Sequence, residues 1–142
     1  VAASRERFRA AQVSLTRSVA ADTPDLLVDP DRINEVITSL LDNALRHTPA
    51  GGTVTVKAGA DPDPRHPGAI IEVRDTGAGF PPGDAEKLFR RFHKAPSSAG
   101  SGLGLTIARA IVEAHHGTLT ADSDVSGQGA QFTITIPPAP GR

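Results

Sequence analysis

Three stretches of strict alternation constrain this chain more than any other feature. TVTVKAG at 53–59 turns Val54 and Val56 to one side, and AIIEVRD at 69–75 does the same with Ile71 and Val73. QFTITIP at 131–137 sets Phe132, Ile134 and Ile136 opposite Thr133 and Thr135. Period-two alternation marks a strand with one face covered and the other wetted, which favours antiparallel pairing. Every helix must then lie on the same side. The expected architecture is a two-layer α/β (α+β) sandwich, with a mostly antiparallel sheet and its helices on one face.

The longest helix is equally well marked. Asp29 is a good N-cap and Pro30 suits the first helical position. Ile33, Val36, Ile37, Leu40, Leu41, Ala44 and Leu45 then follow the i, i+3, i+4, i+7 pattern. Ser39, Asn43 and Arg46 fall along one polar edge of that stripe, and Pro49 with Gly51-Gly52 ends it.

The remaining segments fill in around these. Residues 1–11 suit a short helix, read as the remnant of a preceding helix or linker, and 12–19 alternate like a strand. Leu26 to Val28 suit a brief strand, DPDPRHPG is a loop, and 81–92 contain a short helix with Leu88, Phe89 and Phe92 on its apolar side. HKAPSSAGSG (93–102) has a flexible composition. Residues 103–116 predict a helix with Leu103, Ile107, Ala110, Ile111 and Ala114 on one stripe and Leu105 and Val112 on the other side. Gly117 is the expected stop, 117–123 a further strand, SGQGAQ a turn, and 138–142 a tail. No repeat or second-domain boundary is visible, so 1–142 reads as one domain.

Composition narrows the class. A net charge of −1 gives no basic excess for nucleic acid. No apolar run reaches the 18 or so residues of a membrane span, and no secretory signal is present. The absence of cysteine excludes disulfides, thiolate zinc sites and thiol catalysis, as a cytoplasmic domain would allow. The absence of Met suggests a piece of a longer chain.

Several residues could carry chemistry. Magnesium prefers hard oxygen ligands and needs few from the protein when phosphates supply the rest. Asn43 offers such an oxygen, and it also suits a solvated helix edge. Asp75, in DTGAGF, follows a strand and precedes Gly77 and Gly79. Its carboxylate could accept a hydrogen bond from an exocyclic amine such as that of adenine, or simply form a strand-to-helix turn. Glycines at 77 and 79 let a backbone approach closely. GSGLGL at 100–105 runs into a helix, where backbone N–H groups make an anion site. It is neither a Walker A loop nor a dinucleotide fingerprint, because Gly-Lys-Ser/Thr and the required glycine spacing are missing. Arg46, Arg91 and Lys94 could pair with phosphate, or be solvated surface charges. His47 could be packed or touch a ligand. His115-His116 suits a cation at a helix C-terminus better than a metal pair. His66 and His93 have no partner visible in the sequence.

Taken in order, these segments resemble the ATP-binding catalytic domain of sensor histidine kinases, within the wider group of gyrase, mismatch-repair and heat-shock chaperone ATPases. SLLDNALRHTP is similar to the family's N box, DTGAGF to its first G box, LFRRFHK to its F box, GSGLGL to its second G box and GQGAQF to its last. The resemblance covers about residues 26–137. It implies the Bergerat ATP-binding fold with a mixed, mostly antiparallel sheet, and Mg2+ and ATP as cofactors.

The resemblance also implies roles. Asn43 would be the magnesium ligand, Asp75 would read adenine, and 93–102 would form the ATP lid. Lys94 and Arg46 would steady the phosphates. Arg46, His47, Gly77, Gly79, Phe80, Gly100, Ser101, Gly102, Leu103, Gly104 and Leu105 would complete the nucleotide site. Two departures stand out. The position four before Asn43 is usually Asn in these kinases and is Ser39 here. None of the five histidines is followed by Glu, so the phosphoacceptor histidine must come from another segment or chain. The implied partners are a dimerisation and phosphotransfer domain and, through it, a response regulator. Neither nucleic acid nor direct membrane contact is expected of this segment, which would work in the cytoplasm, alone or as part of a membrane-bound sensor. Phe92, the lid and Leu105 are the expected docking points for the partner helix. A stand-alone ATPase or anti-sigma-type serine kinase would share this fold but would place Glu where Ser39 stands. A binding module that had lost nucleotide affinity would not need these box residues.

Overall fold

The computed structural model describes residues 2–21, 29–61, 68–77, 79, 89, 104–123 and 129–137. The expected segment at 26–28, the 81–92 helix apart from Phe89, and the 93–102 lid lie outside them. In chain order the elements are α1 (Ala2–Ala10), β1 (Ser14–Val19), α2 (Pro30–His47), β2 (Thr53–Ala60), β3 (Ala69–Asp75), α3 (Gly104–Ala114), β4 (Thr118–Ser123) and β5 (Ala130–Ile136).

The sheet runs β1-β2-β3-β5-β4. β1 pairs parallel to β2, while β2–β3, β3–β5 and β5–β4 are antiparallel. The register stacks Val54, Asp75 and Ala130 in one row and Val56, Val73 and Phe132 in the next. These inward rows, with Ile71, Ile134, Ile136, Leu119 and Ala121, form one core with the helices. The two-layer expectation therefore holds.

α2 begins as its sequence dictates. The Asp29 carboxylate accepts from the N–H groups of Asp31 (3.0 Å) and Arg32 (3.3 Å), and Pro30 opens the helix. Ile33, Val36, Leu40, Leu41 and Ala44 are buried, with Ile37 and Leu45 packed beside them.

α3 departs from expectation. Its buried residues are Ala108 and Val112, with Leu105 and Ile111 packed partly against the core. Of the expected stripe only Ile111 packs on the core, while Ile107 keeps 48% of its surface exposed and Ala110 and Ala114 are exposed. Both sides of this helix are apolar, so periodicity alone does not choose between them. Packing on α2 and β4 does, with small Ala108 allowing close approach.

The stop after α3 also differs. His116, not Gly117, takes the left-handed conformation (φ 66°). The N–H of Gly117 bonds the Val112 carbonyl at 3.0 Å and that of His116 bonds Glu113 at 2.9 Å, closing the helix end. Gly117 is needed for another reason, since a Cβ there would fall 2.1 Å from the Thr135 carbonyl oxygen. α1 ends in the same way at Gln12 (φ 60°), which brings Val13 against Phe8.

Candidate functional site

Asn43 and Asp75 come from opposite layers, Asn43 from α2 and Asp75 from the end of β3, and the strand's exit at Gly77 presses on the His47 carbonyl at the end of α2. Asn43 is half-buried on the polar edge of α2, with Ser39 half-buried one turn before it and Arg46 and His47 exposed after it. Its neighbour Asp42 is held by Arg7 of α1, Nη1 to Oδ1 2.6 Å.

Asp75 is the last residue of β3 and only 3% exposed. Its Oδ1 accepts from the Gly77 N–H at 2.8 Å, and the Ala130 backbone also donates to its carboxylate. Burial raises its pKa above the ordinary 3.8, against the opposing pull of these two N–H groups and of His47. The fold therefore keeps a carboxylate where ionisation is costly. Such a group is a candidate for function.

The glycines around Asp75 set the local geometry. A Cβ on Gly77 would lie 2.0 Å from the His47 carbonyl oxygen, so only glycine lets the strand exit press against the end of α2. Gly79 (φ 73°) and Gly129 (φ 125°) interlock backbone to backbone: a Cβ on Gly79 would meet the Gly129 oxygen at 2.6 Å, and one on Gly129 the Asp75 oxygen at 2.2 Å. The turn after β3 and the turn before β5 thus form one tight corner. Gly104, the first residue of α3, is the opposite case. A Cβ there would meet none of the described residues within 4 Å.

Of the sequence-predicted site residues, Asn43, Arg46, His47, Asp75, Gly77, Gly79, Gly104 and Leu105 are described. Phe80, Lys94, Gly100, Ser101, Gly102 and Leu103 lie outside the described residues. Leu105 packs partly against the core, which leaves it less free as a docking point than expected. Among the described residues no group of three or more His, Cys, Asp or Glu could hold a metal. Asn43 is a hard oxygen donor, so it fits magnesium only if phosphates and water supply the other ligands.

Other supports escaped the sequence reading. Phe89 is buried edge-to-face on Phe132 (6.1 Å, 82°), under the Arg109 guanidinium at 4.5 Å. Its carbonyl accepts from the Thr106 hydroxyl at 2.8 Å, tying Phe89 to α3. The polar positions 106 and 109, three apart on α3, were the available signal. Thr76 locks the corner by accepting from Thr53 N–H through Oγ1 (3.0 Å) and donating its own N–H back (3.1 Å). His115 has a role the sequence did not show. Its Nε2 accepts from the Asp29 N–H (3.1 Å) while Nδ1 bonds the Ile111 carbonyl (2.8 Å), so the ring joins α3 to the start of α2.

No described helix is long and apolar enough to cross a membrane. Residues 28–140 match the family described as "Histidine kinase-, DNA gyrase B-, and HSP90-like ATPase". The adaptive-response sensory kinase SasA of Synechococcus elongatus is 38% identical over 135 residues, covering 93% of this chain and 34% of that protein. The sensor histidine kinase WalK of Bacillus subtilis is 38% identical over 115 residues, covering 78% and 18%. The chain thus spans about a third or less of these relatives. The mycobacterial sensor histidine kinase MprB superposes with a TM-score of 0.80 at 31% identity, over 99% of this chain and 94% of that one. With a family match over about four-fifths of its length and the fold to go with it, the chain belongs to the histidine kinase-, DNA gyrase B- and HSP90-like ATPase family.

Proposed function

We propose that this chain binds Mg-ATP and passes the γ-phosphoryl group to a histidine on a separate dimerisation and phosphoacceptor segment, from which a response regulator takes it. The observation that carries the reading is Asp75, a buried carboxylate held at the glycine corner beside the helix of Asn43. Its remaining lone pairs can accept the adenine amine. Asn43 would hold magnesium, which supplies charge neutralisation across the phosphates. The N-terminus of α3 at Gly104 offers backbone N–H groups to phosphate oxygens, with Arg46 and Lys94 as the cations. The lid at 93–102 would close over the nucleotide, and with Phe92 would meet the partner helix. The incoming imidazole nitrogen bonds the γ-phosphorus as the bond to the β–γ bridging oxygen breaks, and ADP departs.

Transfer of this kind needs positioning and charge more than a protein base. Ser39 stands where hydrolysing relatives would carry a Glu, and Glu35, a turn earlier, is paired with Arg32 at 3.3 Å. ATP hydrolysis by the domain alone is therefore expected to be very slow. The setting is the cytoplasm, where ATP is supplied, and 1–142 acts as one domain. The test is titration with a fluorescent ATP analogue, with and without Mg2+. Asn43→Ala should weaken only the magnesium-dependent part and Asp75→Ala the whole. Unchanged affinity in both variants would refute the site.

A further inference from the structure

We propose that the shoulder between α1 and β1 docks an acidic, amphipathic peptide segment of a partner protein. A cavity of about 250 Å3 opens there, lined by Arg5, Phe8, Arg9, Val13 and Leu15. Its floor is apolar: Phe8 and Val13 are buried and Leu15 is half-buried. Its rim is cationic. Arg5 and Arg9 are four apart on α1 and so share a side of the helix. Arg17 lies on the same face of β1 as Leu15 and Val19. All three arginines are exposed. Arg9 is paired with Glu6 at 3.0 Å, whereas Arg5 and Arg17 have no ion pair among the described residues.

Val19 carries the apolar strip beyond Arg17 and keeps 64% of its surface exposed. At about 3.3 Å per strand residue, Leu15 and Val19 stand roughly 13 Å apart with Arg17 between them. A matching ligand has two apolar anchors at that spacing and carboxylates between and beside them. An amphipathic helix meets this with anchors at i and i+8, about 12 Å apart, and an acid at i+4. An anionic lipid surface would satisfy the arginines but is flat, and would leave the recessed floor unfilled. The net charge of −1 provides no general attraction to anions, so the pull is local. The groove shares no residue with the Asn43–Asp75 site, and the inference stands or falls apart from the nucleotide reading.

The probe is a fluorescein-labelled synthetic peptide of about 16 residues, with leucine at i and i+8 and glutamate at i+4 and at the positions flanking that face. Fluorescence anisotropy should show saturable binding to the parent chain. Arg5→Glu/Arg17→Glu should weaken it about tenfold or more, because charge reversal adds repulsion to the lost attraction. The same variant should bind the ATP analogue as the parent does. Leucine-to-serine and glutamate-to-lysine versions of the peptide should each fail to bind. Should the double variant not fold, Arg17→Gln tests the same contact with a smaller, roughly threefold, loss. Equal binding by parent and variant overturns the proposal. So does binding to phosphatidylserine-containing vesicles without binding to the peptide.

Discussion

Replacing Asp75 with asparagine keeps the side chain's shape and removes its charge. In the folded chain the carboxylate is buried and its pKa lies above the unfolded 3.8. Below 3.8 both states are protonated and the group is neutral to stability. As pH rises from 3.8 through the raised folded value the unfolded chain gives up its proton first, so stability falls and the loss is complete once the buried group has ionised. At neutral pH Asp75 is therefore a burden on the fold. The Asp75→Asn substitution relieves it, while the new amide oxygen can still accept from the Gly77 N–H. The variant should melt higher than the parent at pH 7, and the gap should narrow on acidification toward pH 4. Binding should move the other way. A hydrogen bond to a charged group is worth about 1.5–3 kcal/mol, which corresponds to a roughly 10- to 150-fold loss of ATP affinity. Thermal denaturation across pH, paired with anisotropy titration of an ATP analogue, reads both effects on one sample. A variant that bound the analogue as tightly as the parent would sink the assignment of Asp75 to adenine. One that melted lower at pH 7 would show that the charge stabilises its corner.

Asn43→Ala should lower nucleotide affinity in magnesium by about tenfold or more and leave affinity in EDTA nearly unchanged, as isothermal titration would show. Gly77→Ala forces a Cβ onto the His47 carbonyl, 2.0 Å away, and should cost about 1–3 kcal/mol in urea denaturation while loosening the site. His115→Ala removes the acceptor of the Asp29 N–H and should destabilise by about 1 kcal/mol, with faster amide exchange at the start of α2.

Much of this was legible because it is local. Alternation gave the inward rows of β2, β3 and β5, and Asp29-Pro30 with seven periodic apolar residues gave α2. The parallel pairing of β1 with β2 was not legible, since nothing near Leu15 says that Val54 lies beside it. The buried side of α3 stayed undecided because Ile107 and Val112 are equally apolar and only the neighbouring layer distinguishes them. The role of His115 was not legible for the same reason: its ring accepts an N–H that arrives from Asp29, 86 positions earlier. At the site, motif glycines pointed to the corner, but only the folded arrangement distinguishes Gly77, pressed on a carbonyl, from Gly104, where a Cβ would meet none of the described residues within 4 Å.

The corner where Gly79 and Gly129 interlock has a consequence for how the chain matures. It is made by residues some fifty positions apart, and the end of α2 at His47 joins from a third region through Gly77. Bringing such distant pieces together is the slow, entropically opposed part of folding. A partly assembled chain, with only its hairpins formed, would have no pocket to offer. Nucleotide would then reward completion alone, adding about 2.7 kcal/mol at a hundred times its dissociation constant. ATP supply would then govern protease resistance and lifetime.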